Sequence, residues 1–158
     1  GHPLLDITTN YKTNTNFLSQ NGLNEKPIIA LLPGSRKQEI NSMLPIMLEM
    51  IDQFKDYQFV VAGAPSQSAE FYQEIIKDKP VKIVFGKTYD LLDKSYAALV
   101  TSGTATLETA LFKVPQVVCY KANSLSYQSA KRMVSIKSIS LVNLIANKII
   151  VKELNQNE

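Results

Sequence analysis

Cysteine and histidine are almost missing from this chain, with one of each in 158 residues. A single cysteine rules out an internal disulfide, and its place in the apolar run QVVCY marks Cys119 as a buried structural thiol rather than a nucleophile. One histidine and one cysteine leave a zinc site almost nothing to use. A reducing, cytoplasmic setting is the expectation. No apolar stretch approaches the roughly 18–20 residues that cross a bilayer. The chain opens on Gly1 rather than methionine and shows no signal-peptide pattern. Two nucleotide fingerprints are also missing: there is no GxxxxGK[ST] Walker loop and no GxGxxG turn, so ATP and hydride chemistry lose ground. Basic and aromatic residues do not interleave as in a nucleic-acid groove, and no internal repeat or low-complexity segment is present.

What is there is ordinary in bulk. Hydrophobic residues make up 45% and charged residues 20%, and the length suits one domain with a real core. The net charge of +3 is unevenly placed. Residues 1–120 carry 11 basic and 12 acidic side chains, whereas residues 121–158 carry 6 and 2. That C-terminal excess reads either as a solvated helix face or as the mark of an anionic partner.

Residues 7–26, ITTNYKTNTNFLSQNGLNEK, are polar and read as a surface segment with a short helix near Phe17. Five apolar runs follow: IIALL (28–32), YQFVVA (57–62), VKIVF (81–85), AALV (97–100) and QVVCY (116–120). They are short and rich in β-branched residues, which predicts strands buried on both faces. Between the first two, Ile40, Met43, Leu44, Met47, Ile51 and Phe54 fall on one helical stripe. Further helices are predicted over 67–77, 88–94 and 103–112, and the pattern turns helical again from Ser124 onward. Strand–helix alternation with right-handed crossovers predicts an α/β fold, a Rossmann-like, doubly wound parallel sheet of about five strands in the order 3-2-1-4-5.

In such a sheet ligands bind beyond the carboxyl ends of the strands, at the switch in strand order. Two loops there carry unusual chemistry: Pro33-Gly34-Ser35-Arg36 after the first strand and TSGTATLE (101–108) after the fourth. Each opens a helix whose free N–H groups and dipole favour an anion. Gly34 and Gly103 let a ligand approach the backbone. Ser102, Thr104 and Thr106 add hydroxyl donors, and Arg36 adds a forked, permanently charged one. Glu108 lies a helical turn beyond Thr104, roughly 6 Å along the axis, where it would accept from a vicinal diol. An anion cradle with a diol acceptor reads as a nucleotide diphosphate site. Either glycine turn alone would be no more than a helix cap.

These residues resemble a known family, the lipid-A-disaccharide synthases, glycosyltransferases of the GT-B fold. The segments that carry the resemblance are GHPLLD, LLPGSRKQEI, SGTATLETAL, PQVVCYK and SLVNLIANKIIVKEL. The likeness runs over nearly the whole chain and is weakest in 7–26 and 64–80. It implies transfer of 2,3-diacylglucosamine from its UDP derivative to 2,3-diacylglucosamine 1-phosphate, at the cytoplasmic face of a Gram-negative inner membrane. It also implies a chain that matches the UDP-binding half of a two-lobed enzyme. Residues 1–158 would form one nucleotide-sugar-binding domain, with 1–26 as its opening segment and 124–158 as a C-terminal helical part.

By the same resemblance, Gly34, Ser35 and Arg36 would hold the UDP diphosphate together with Ser102, Gly103, Thr104, Ala105 and Thr106. Glu108 would hold the ribose, Asn143 would face the cleft, and the backbone at Gly86 and Lys87 would lie near uracil. Lys131, Arg132 and Lys137 would approach anionic head groups or the acceptor phosphate. No cofactor, metal or nucleic acid is implied. No catalytic residue is expected in this chain, because the acceptor pocket and general base belong to the family's N-terminal half. Two alternatives stay open. One is a UDP-N-acetylglucosamine 2-epimerase-like isomerase on the same scaffold. The other is a non-catalytic nucleotide-binding domain complete in itself.

Overall fold

The computed structural model describes residues 9–101 and 103–119. Five strands form one parallel sheet: β1 (Ile28–Leu32), β2 (Gln58–Gly63), β3 (Val81–Phe85), β4 (Ser95–Thr101) and β5 (Gln116–Cys119). The order across the sheet is β3-β2-β1-β4-β5, with β1 central and the reversal of direction falling between β1 and β4. Helix α1 (Phe17–Gln20) precedes β1, and α2 (Lys37–Leu48), α3 (Ala69–Ile76), α4 (Thr88–Lys94) and α5 (Thr104–Leu111) fill the connections.

Period-two side-chain alternation divides the apolar runs between two cores. Ile29 and Leu31 of β1, Phe59 and Val61 of β2 and Leu99 of β4 face one side, under Ile40, Leu44 and Met47 of α2 and Tyr72 and Ile76 of α3. Ile28, Ala30, Leu32, Val60 and Val100 face the other, against Leu91 and Leu92 of α4. Every residue of β1 is therefore buried, as a central parallel strand requires.

Three expectations are corrected in detail. β3 is not buried on both faces: Lys82 and Phe85 are exposed, because this strand pairs only with β2. Phe85 lies flat on Gly63, where an added Cβ would come within 2.6 Å of its ring, so the missing side chain makes that contact possible. The α2 stripe does not run as one helix to Phe54. Regular helix ends at Leu48, and a 3-10 turn at Ile51–Gln53 carries Ile51 and Phe54 back into the same core.

The polar opening segment is more than a surface strand of chain. Its short helix is present, and Phe17 at its start is fully buried in the second core. Gln58 pins the segment's end to β2, donating from Nε2 to the carbonyls of Asn24 and Lys26 at 2.7 Å each.

Candidate functional site

The carboxyl ends of β1, β2 and β4 open into one cleft of about 480 Å³. Gly34, Ser35 and Arg36 stand on one side of it, and Gly103, Thr104 and Ala105 on the other. Glu108 and Thr88 line this cleft and also a neighbouring one of about 410 Å³, which is walled by Tyr11, Gly86, Lys87 and Tyr89. The sheet order explains the juxtaposition. β1 and β4 are hydrogen-bonded neighbours, so the loops that leave them must face each other.

Both turns need glycine. Gly34 sits at φ +104° and Gly103 at φ +136°, regions that L side chains rarely adopt. The β1 turn is held from two directions, and the β2 loop beside it by a third contact. Gln67 donates from Nε2 to the Ser35 carbonyl at 3.2 Å, while Glu39 reaches back from α2 to accept from the Ser35 and Arg36 amides. Tyr72 completes the support: its buried hydroxyl accepts from the Ala64 amide at 2.7 Å, fixing the β2 loop that borders the cleft. Arg36 itself is exposed, and among the described residues its guanidinium makes no ion pair.

At the β4 turn the Thr101 hydroxyl is buried without a hydrogen-bond partner among the described residues, and Thr101 lines the cleft. Thr106 stands at the third position of α5. Its hydroxyl donates to the Gly103 carbonyl at 2.6 Å and does not line the cleft, because position three of a helix points back along its own turn. Ser102, Asn143, Lys131, Arg132 and Lys137 lie outside the described residues.

Glu108 is placed as the helical spacing predicts, and it has a partner that the spacing does not reveal. Tyr89 and Glu108 wall the same cleft, and interaction of the phenol with the Glu108 carboxylate, ahead of burial, raises it above its ordinary pKa. Tyr89 stacks at a tilt on Phe112 with centroids 5.4 Å apart, and Phe112 meets Tyr11 edge-to-face at 5.2 Å. Tyr11 donates to Asp90 and Asn14 donates to its other oxygen at 3.3 Å, which ties the opening segment to α4 beside the cleft. Burial is the main reason that the Tyr11 phenol is also raised, with the Asp90 hydrogen bond second.

Glu39, Thr101, Tyr89 and Tyr11 were thus not legible as site residues. Glu39 carried the only usable signal, an acid three positions after the residue that precedes the helix. Among the described residues, no three His, Cys, Asp or Glu side chains gather as a metal set. No described helix is long and apolar enough to cross a membrane. The arrangement offers helix ends, one free guanidinium and hydroxyl donors to an anion, with a carboxylate and aromatic wall next to them.

Comparison with known proteins shows the family and the scaffold. The family model described as lipid-A-disaccharide synthetase matches residues 1–158. A lipid-A-disaccharide synthase from Syntrophus aciditrophicus is 39% identical over 99% of this chain and 43% of its own length. One from Psychromonas ingrahamii is 44% identical over 82% of this chain and 36% of its own. The chain therefore spans less than half the length of the curated relatives it matches. Among solved structures, the S. aureus MnaA–UDP complex superimposes with a TM-score of 0.56 at 18% identity, covering 99% of this chain and 47% of that one. A Listeria monocytogenes protein assigned as a UDP-N-acetylglucosamine 2-epimerase does so with a TM-score of 0.55 at 14% identity, over 97% of this chain and 43% of that one. These two likenesses support the GT-B scaffold. A cleft between glycine turns at the switch point, within a match along the whole chain, leads to one conclusion: this chain belongs to the lipid-A-disaccharide synthase family.

Proposed function

We propose that this chain is the UDP-sugar-binding half of an enzyme that transfers 2,3-diacylglucosamine from UDP-2,3-diacylglucosamine to 2,3-diacylglucosamine 1-phosphate, releasing UDP. The observation that carries the proposal is the pairing of the Gly34–Arg36 and Gly103–Ala105 turns across one cleft, with a guanidinium at its edge that makes no ion pair among the described residues. Two helix N-termini and Arg36 would share the four oxygens of a diphosphate that are free to accept, and Ser102 and the Thr101 hydroxyl would add donors from the β4 side. As the acceptor's 6-hydroxyl attacks the anomeric carbon, the bond to UDP breaks and negative charge grows on the departing phosphate. Arg36 and the oriented amides stabilise that charge in place, with no reorganisation at the moment of reaction.

Glu108, oriented by Tyr89, would accept from the ribose diol. Gly86 and Lys87, in the adjoining cleft with Tyr11 and Tyr89, would take the uracil ring. Asn143 would approach the same cleft from the C-terminal part. The proton from the acceptor would leave to a base in a facing half outside this chain. Leu107, 56% exposed on α5 beside Glu108, supports such a facing surface. Attachment to the inner-membrane surface through Lys131, Arg132 and Lys137 belongs to the same reading. An epimerase would use the same cradle, and product analysis of the full-length enzyme separates the two.

The test is a UDP titration followed by amide NMR, with ADP and GDP as controls. Shifts at Gly34, Arg36, Gly103 and Glu108 that are selective for UDP are expected. Equal shifts with all three nucleotides would remove the uracil assignment. Shifts elsewhere would remove the cradle.

A further inference from the structure

The β1 turn already holds an anion of its own. Glu39 Oε1 lies 3.4 Å from the Ser35 amide and 3.3 Å from the Arg36 amide. Its side chain is folded tightly over the turn: a Cβ at Gly34 would stand 2.8 Å from Oε1 and 3.1 Å from both Cβ and Cδ of Glu39. Gly34 thus makes room for Glu39, in the place where a ligand was expected to approach. Glu39 also lines the cleft with Thr104 and Ala105, so the carboxylate faces the space in which the phosphates would lie. Among the described residues it makes no ion pair, and Arg36 makes no side-chain cap bond to the helix.

Resting on the reading of this cleft as a nucleoside diphosphate site, we propose that Glu39 is an internal stand-in for the diphosphate. It occupies the Ser35 and Arg36 amides while the site is empty and is displaced when the ligand binds. One pair of amides cannot serve a carboxylate and a phosphate together, and the two negative charges repel at this range. Glu39 is only half-buried and has a way out to solvent. In the empty site the carboxylate keeps the turn in its positive-φ shape with its donors satisfied, so the cradle is ready before the ligand arrives. Ligand binding then includes the loss of the two long amide contacts to Glu39 Oε1. A diphosphate replaces them with surplus charge, whereas a neutral nucleoside never engages them. Glu39 therefore lowers affinity for diphosphates specifically and sets the charge that a ligand must bring.

The test titrates UDP and uridine into the full-length wild-type protein and the Glu39→Gln and Glu39→Asp variants. Gln keeps an acceptor for the amides and loses the charge. Asp keeps the charge and falls one methylene short of both amides. Glu39→Gln is expected to bind UDP about fivefold tighter, equivalent to ~1 kcal/mol, with uridine affinity unchanged and the melting temperature of the free protein slightly lowered. Glu39→Asp is expected to bind UDP more tightly than wild type by a smaller factor. A purely structural cap predicts a different result: Glu39→Gln would leave UDP affinity the same or weaker, and that outcome overturns the proposal. Failure of the underlying site reading is distinguishable, since UDP would then bind no better than uridine in all three proteins, and the proposal would fall with it. If Glu39→Gln does not fold, Glu39→Asp decides by the same criterion.

Discussion

The two turns that make the cleft are built to the same plan, and they use their acids in opposite ways. At β1, a strand runs into a positive-φ glycine, a helix starts after Arg36, and Glu39 stands three residues beyond that cap. At β4, a strand runs into a positive-φ glycine, a helix starts after Gly103, and Glu108 stands five residues beyond it. Three residues after the cap, a carboxylate reaches back to the amides of its own turn. Five residues after it, the carboxylate lies past the first turn and has to look outward, where Tyr89 meets it. A difference of two positions separates an acid that folds back onto its own turn from one that faces away from it.

The strongest way to break this comparison is to remove the feature that only the β1 turn has. Arg36→Ala is expected to weaken UDP binding about a hundredfold, the size of losing charge-assisted hydrogen bonds that no other described cation at the cleft edge replaces. Isothermal titration with UDP measures this. A loss below threefold would place the diphosphate elsewhere.

Next come the glycines themselves. Gly34→Ala and Gly103→Ala each force an L side chain into a disfavoured backbone region, costing about 1–3 kcal/mol. Gly34→Ala should be the worse of the two. Its new Cβ meets Glu39 Oε1 at 2.8 Å, whereas the Cβ at Gly103 has nothing within 4 Å. Urea unfolding of both variants checks the order, and equal midpoints would mean that Glu39 swings away at no cost.

A smaller effect sharpens the role of the second acid. Glu108→Gln is expected to weaken UDP about tenfold while barely changing 2′-deoxy-UDP, because only the ribose diol can use both carboxylate oxygens. An equal loss for both ligands would remove the diol assignment.

The smallest effect is a pH dependence of stability. The Tyr89 phenol is raised in the folded state by its interaction with the Glu108 carboxylate, with burial second. The unfolded chain then loses that proton first, near pH 10, and from there the folded state holds more protons than the unfolded one. The stabilisation is therefore complete below about pH 10 and is lost as pH rises through the folded-state value. Tyr89→Phe should flatten the decline of melting temperature above about pH 10, and an unchanged decline would mean that the interaction does not persist in solution.

Much of this was legible in the chain. The five apolar runs became the five strands, and IIALL and VKIVF match their elements residue for residue. Local signals suffice there, because alternation and β-branching act over a few residues. The run at 81–85 also shows the limit: its composition matches that of a buried strand, yet its position at the sheet edge exposes Lys82 and Phe85. The glycine turns, Arg36 and Glu108 were readable because turn chemistry and helical spacing are short-range. Tyr11 was not readable, because its partner Asp90 lies 79 residues away and nothing in the Asn- and Thr-rich segment sets that tyrosine apart. Thr106 looked like a ligand hydroxyl until its own helix claimed it.

By itself, the sequence determined the elements, their parallel winding and the presence of two anion-favouring turns, since each depends on backbone preferences and periodicity within a dozen residues. Only the tertiary structure decided that those turns face each other across β1 and β4. It also decided that Phe17 and Tyr11 seat the opening segment beside the cleft, and that Glu39 folds back over the β1 turn while Glu108 lines the same cleft as Tyr89. These outcomes depend on which side chain reaches a given atom first, and that competition is settled only when distant segments pack together.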